Sequence, residues 1–166
     1  MTSFLKGFLH DGSEPNKPRQ QLLKSKAILR LNSEENKEEK TMREVIQTEN
    51  APKPLGPYSQ AVKVDKFLFV SGQVAIDPEK AKIVAEGIKA QTIQVMENLK
   101  AILQAAGYSL SDVVQSNVYL SSMALFNDFN EEYAKYFDKV FPTRATVGIE
   151  LMPGALLEIS VVAYKD

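Results

Sequence analysis

Apolar positions recur with two different periods along this chain, and the switches between them outline a domain. Arg43–Thr48 (REVIQT) is a short strand candidate. Asn50–Pro57 (NAPKPLGP) is a proline-broken loop. Ser59–Val64 alternates through Ala61, Val62 and Val64, and Lys66–Val74 (KFLFVSGQV) is a denser apolar run. Asp65-Lys66 between them suits a tight hairpin. Asp77-Pro78 and the charged stretch to Lys82 read as a loop. From Ala85 to Ala106 the period lengthens: Ile88, Met96, Leu99, Ile102, Leu103 and Ala106 recur at helical spacing, and Gly107 is a stop. Val113–Leu120 alternates again. Ser121 or Ser122 then caps a second helix with Leu125, Phe126, Phe129, Tyr133, Tyr136 and Phe137 as its stripe. That stripe reads as core.

Two strands close the chain, joined through Met152-Pro153-Gly154. The element order, βββ-α-β-α-ββ, predicts an α+β domain: a mixed sheet with both helices on one face. In 143–150 the apolar set is Ala145, Val147 and Ile149, so Arg144, Thr146, Gly148 and Glu150 point the other way. In 155–163 the apolar set is Leu157, Ile159, Val161 and Ala163, and Glu158 points opposite with Leu156, Ser160 and Val162. If both apolar sets face the helices, Arg144 and Glu158 share the far face. Leu156 and Val162 make that face half-apolar, which suggests cover by another subunit.

Residues 1–41 keep neither period. They hold Pro15, Pro18, Gly7, Gly12 and the charge run SEENKEEK at 33–40, so they are expected to form a flexible extension, with the compact domain starting at Met42. Gln20–Leu31 has enough leucine and isoleucine for a helical turn or two. Phe4, Leu5, Phe8 and Leu9, with Lys6, Arg19, Lys24, Lys26 and Arg30, also fit a mitochondrial presequence; Asp11, Glu14 and the acids at 34–39 argue against one and favour a cytoplasmic protein.

Composition removes much chemistry. A formal net charge of −1 gives no overall pull toward nucleic acid or anionic membrane. No cysteine means no disulfide, thiol nucleophile or thiolate metal site, and a single histidine, His10, leaves no histidine pair within one chain. What stands out is an arginine and a glutamate on otherwise apolar strands, costly there unless paired or used. Arg144 and Glu158 form either an interface ion pair or a site, and an arginine fork suits a small carboxylate.

Several segments together bear on that choice: APKPLGPYSQAV (51–62), FVSGQVAIDP (69–78), QVMENLKAILQAAG (94–107), VVQSNVYLSSMALFNDFNEEYAKYF (113–137), FPTRATV (141–147) and LLEISVVA (156–163). In this order they resemble the Rid family, also called YjgF, UK-type or L-PSP, and its enamine/imine deaminase branch above all. The resemblance spans about residues 43–166. It implies a chorismate-mutase-like (YjgF) fold, a homotrimer whose sheets line a central barrel, and clefts between subunits. It implies a 2-iminobutanoate/2-iminopropanoate deaminase, a hydrolase acting on C–N bonds that turns enamines and imines such as 2-aminoacrylate into 2-keto acids and ammonia without cofactor or metal. By resemblance, Arg144 takes the substrate carboxylate, Glu158 activates water and Tyr58 borders the cleft. Ser71, Gly72 and Asn130 make secondary polar contacts. Thr146 stands where some members have cysteine. Two other readings remain: a metabolite-sensing module that uses the same cleft without turnover, and an endoribonuclease or translation inhibitor, which a domain without histidine or basic run supports poorly. Taken without the resemblance, Tyr58 is a packing loop aromatic, Ser71-Gly72 a strand-end turn and Asn130 a polar helix-face residue.

Overall fold

The computed structural model describes residues 43–84 and 86–166. The expected N-terminal extension, its Gln20–Leu31 piece and a boundary at Met42 lie outside these residues.

Strands β1 (Arg43–Ile46), β2 (Ala61–Val64) and β3 (Phe67–Val74) form an antiparallel meander. The turn between β2 and β3 is the Asp65-Lys66 pair, with Asp65 in the left-handed region at φ 53°, a conformation aspartate tolerates. A two-residue hairpin, β4 (Ile76–Asp77) and β5 (Lys82–Ile83), occupies the expected loop. Asp77 holds it: one carboxylate oxygen accepts from the Glu79 and Lys80 amides at 2.9 and 3.1 Å. Helix α1 (Gly87–Ala105) follows, then β6 (Val113–Leu120), helix α2 (Phe126–Ala134), β7 (Thr143–Gly148) and β8 (Leu157–Tyr164).

The sheet runs β1-β2-β3-β8-β6-β7. All neighbours are antiparallel except β6 and β7, which are parallel and joined through α2. The mixed sheet and both helices are therefore as the sequence predicts. Helix α1 packs on β3 and β8, and α2 packs on α1. Gly107 ends the first helix at φ +79°, as a residue without Cβ allows. Ser122 accepts from the Ala124 amide at 3.2 Å and starts a single 3₁₀ turn into α2. That helix stops at Ala134, so Tyr136 and Phe137 lie beyond its end, still packed against the core.

One face of the sheet meets the helices through Leu68, Val70, Val118, Leu120, Leu157, Ile159, Val161 and Ala163, all buried. No helix among the described residues is long and apolar enough to cross a membrane. Among the described residues, no element covers the other face. Val62 of β2, Phe69 of β3 and Val162 of β8 pair across it, and Phe67 stacks on Tyr164 at 5.1 Å between ring centroids. Phe69 remains 48% exposed. A bare apolar sheet face of this kind is unusual for a surface that meets only water.

Candidate functional site

The residues singled out in the sequence fall into two groups on opposite faces of the sheet. The first lies where β3 bulges. Val70 pairs with Val161 and Gln73 with Ile159, so two β3 residues, Ser71 and Gly72, oppose the single Ser160 of β8. A bulge of this kind turns two consecutive residues toward one face. It brings Ser71 and Gly72 to the bare face, beside Glu158. An added Cβ on Gly72 would overlap the Glu158 carboxylate, lying 2.7 Å from its Cδ and 3.0 Å from its Cγ. The glycine is thus required by the close approach of the carboxylate.

Ser71 donates to the Ser59 carbonyl at 2.7 Å, and its amide donates to the Gln60 carbonyl at 3.0 Å. These bonds tie the bulge to the loop that carries Tyr58. The Tyr58 ring is half exposed, and its hydroxyl accepts from the Leu55 amide at 3.2 Å. Tyr58, Ser71, Gly72 and Glu158 all line one open cavity of about 360 Å³. Buried Gln60 fixes the loop: its side-chain oxygen accepts from the Thr48 amide at 2.7 Å, and its nitrogen donates to the Thr48, Ala51 and Pro52 carbonyls.

The second group lies on the helix side of edge strand β7. Arg144 pairs in register with buried Ser116 of β6, and Thr146 with buried Val118. Cross-strand partners share a face, so Arg144 and Thr146 point toward the helices. The Arg144 guanidinium sits among three rings of the α2 stripe, 5.7, 5.6 and 5.0 Å from the Phe126, Phe129 and Tyr133 centroids. Its Nη2 donates to the Asn130 side-chain oxygen at 2.7 Å. The expected shared face for Arg144 and Glu158 is therefore corrected. The apolar set of β7, Ala145 and Val147, pairs with Asn117 and Tyr119 on the bare face, and Val147 is 48% exposed. Strand parity groups side chains within a strand but does not say which group meets the helices.

Arg144 and Glu158 form no ion pair with any described residue. Their strands are two apart in the sheet, about 10 Å at ~4.8 Å per strand, and their side chains leave opposite faces. One small ligand cannot touch both within a single protomer.

The aromatic cradle was legible only as core, and Phe129 and Tyr133 are indeed buried. They serve both purposes. Rings at these distances attract a cation through their π faces and hold a long side chain that water would leave mobile. Burial pushes the Tyr133 phenol above its ordinary pKa, against opposing pulls from Ser116 and Arg144. By strict geometry neither the buried Tyr133 hydroxyl nor the buried Ser116 hydroxyl completes a hydrogen bond, so the pull between them is weak. Tyr133→Phe is accordingly expected to keep the ring under Arg144 and to shift the melting temperature by less than about 2 °C, since the hydroxyl lost was unpaired. A thermal melt checks this; a fall of more than about 5 °C would mean that the hydroxyl is held by water.

A sequence model of the family described as Endoribonuclease L-PSP matches residues 48–165. The chain belongs to this family, the Rid or YjgF family. Within it, a RutC family protein of Pyrococcus horikoshii is 55% identical over 126 residues, 75% of this chain and all of that protein. A human protein named 2-iminobutanoate/2-iminopropanoate deaminase is 41% identical over 125 residues, 75% of this chain and 91% of that one. The crystal structure of RidA from an Antarctic Psychrobacter superposes with a TM-score of 0.71 at 44% identity, covering 74% of this chain and 99% of that one. Residues 1–41 lie outside the family match, and the two polar groups belong to the Rid domain.

Proposed function

We propose that this Rid-family protein hydrolyses 2-imino acids and their enamine tautomers, such as 2-aminoacrylate, to 2-keto acids and ammonia, at sites each shared by two protomers. The observation that supports this reading is the split: an arginine on one edge, facing α2, and a carboxylate on the bare face, complementary in chemistry and unable to meet within one chain. A homotrimer that buries the bare apolar faces against one another would bring the Arg144 group of one protomer to the Glu158 group of the next. Phe67, Phe69 and Val147, too exposed for one chain alone, support burial of that face.

The residues suit the chemistry. Arg144, held by Asn130 and three rings, offers its remaining N–H groups to the substrate carboxylate and draws charge from the adjacent C=N carbon. Glu158 accepts a proton from water as the water oxygen bonds to that carbon, and the proton passes to nitrogen. Collapse of the carbinolamine gives its hydroxyl proton, by way of Glu158, to the amine, forms C=O, breaks C–N and releases ammonia. The Tyr58 hydroxyl accepts from Leu55, so its own proton is free for the water or the leaving nitrogen. Ser71 contributes by fixing the loop, and Thr146 is a small residue two positions on from Arg144 on the same face. Nothing in this scheme needs a cofactor or metal. The imine is intrinsically reactive, and positioning supplies the catalysis.

The family description names an endoribonuclease, yet residues 43–166 contain no histidine, and the candidate site offers one arginine rather than a phosphate-binding cluster. The test is ammonia release from freshly generated 2-aminoacrylate in the presence of the full-length protein. The expected result is acceleration above the free-solution rate in proportion to protein concentration. Binding of 2-oxobutanoate without any acceleration would instead make the protein a metabolite sensor.

A further inference from the structure

A second cavity, of about 390 Å³, lies behind the Tyr58 loop. It shares Pro52, Lys53, Leu55, Ile76 and Met152 with the Glu158 cavity and continues away from it to Pro78, Ala81 and Ile83. Apart from Glu49 and Lys53, which pair with each other at 2.9 Å on its rim, its lining is apolar. Its volume falls within the ~300–1,000 Å³ of small-ligand sites. That is far more than a methyl or ethyl group fills.

Its walls and its neck differ in firmness. Pro52 is fixed by the Gln60 amide on its carbonyl at 2.9 Å, and Ile76 by the Asn98 amide on its carbonyl at 2.9 Å. Both amides belong to buried side chains. Leu55 and Met152, which line both cavities, are 74% and 42% exposed, so their flexible side chains have room to turn. The structure thus presents a firm apolar chamber opening past two movable side chains onto the carboxylate.

We infer that this chamber seats the side chain of the substrate, and that the protein takes 2-imino acids with branched or long aliphatic side chains in preference to those of the two- and three-carbon amino acids. The inference rests on the deaminase reading above and names its substrate class. A substrate whose C2 lies at Glu158 reaches the chamber when its side chain turns past Leu55 and Met152, which line both cavities, and there each added methylene gains apolar contact worth ~10–200-fold in discrimination.

The experiment measures kcat/KM for imines generated in situ by an amino-acid oxidase from leucine and from alanine. The leucine-derived imine is expected to be hydrolysed at least tenfold more efficiently. Ile83→Trp, which fills the chamber at its far end, should cut that ratio at least tenfold, whereas Ile83→Ala should preserve or raise it. A misfolded variant would lower both rates and leave the ratio intact. Equal efficiency for the two imines, or a ratio unmoved by an Ile83→Trp protein that keeps its rate on the alanine-derived imine, overturns the inference. If neither imine is hydrolysed, the deaminase reading fails by itself. Calorimetry with 4-methyl-2-oxopentanoate and pyruvate then decides the chamber: tighter binding of the longer acid, lost in Ile83→Trp, sustains it, and equal binding removes it.

Discussion

Arg144→Ala and Glu158→Gln are each expected to lower kcat/KM for 2-aminoacrylate at least 100-fold, and a mixture of the two inactive proteins is expected to recover about a quarter of wild-type activity after subunit exchange. The first part follows from chemistry. Without Arg144 the substrate carboxylate would lose its proposed charge-assisted fork, and without the Glu158 carboxylate the water would lose its proposed proton acceptor. The second part follows from the sheet. Arg144 faces α2 from edge strand β7, beside Asn130 at 2.7 Å. Glu158 faces the other way from β8, over Gly72. A site built across a subunit boundary takes its arginine from one chain and its glutamate from the neighbour. In a random one-to-one mixture each is intact half of the time, and both together about a quarter of the time. Co-expression of the two variants, followed by ammonia-release kinetics on the unfractionated pool, measures this; trimers selected through two different affinity tags, which exclude the inactive homotrimers, should recover about a third. Activity no higher than the mean of the two parents would mean that the residues act within one chain, contrary to their placement. Substantial activity in either single variant would remove that residue from the chemistry.

Why the sequence located these residues but misjudged their relation can be followed strand by strand. Strand β8 is internal: its alternation of buried Leu157, Ile159, Val161 and Ala163 with half-buried Glu158, Ser160 and Val162 follows the parity read from the sequence. Strand β7 is an edge. There the apolar set turns to the bare face and the polar set to α2, where Arg144 stays exposed while its guanidinium lies against three aromatic rings. A single chain's pattern cannot distinguish an apolar face waiting for a partner from one that meets a helix. The bulge at Ser71-Gly72 was likewise invisible, since it depends on two β3 residues opposing one on β8. SGQ gave only a turn signal or, by resemblance, a polar contact. The β4–β5 hairpin, two residues to a strand, is too short to leave any period. The long elements, α1, the dense apolar run of β3 and the alternation of β6 and β8, were legible because each buries a continuous stripe against the same core.

The firmest geometric requirement in the candidate site belongs to a residue with no side chain. Gly72→Ala is expected to reduce kcat/KM about 100-fold while leaving the fold intact. The new Cβ would overlap the Glu158 carboxylate and crowd its Cδ and Cγ at 2.7 and 3.0 Å. Carbon atoms do not approach that closely, so something must move, and what moves is the end of a flexible, half-exposed side chain rather than backbone. Stability therefore changes little, and the melting temperature should stay within a few degrees of wild type. The carboxylate, however, must swing away from the water it is proposed to activate, and a displacement of about 1 Å at a reacting group costs on the order of 100-fold. The double variant separates this account from a general disturbance of the bulge. If Gly72→Ala acts through Glu158, adding it to Glu158→Gln should lower the rate little further, because the group it displaces has already lost its function. Multiplicative losses in the double variant would show that the bulge supports the site by another route, through the Ser71 bonds to the Tyr58 loop.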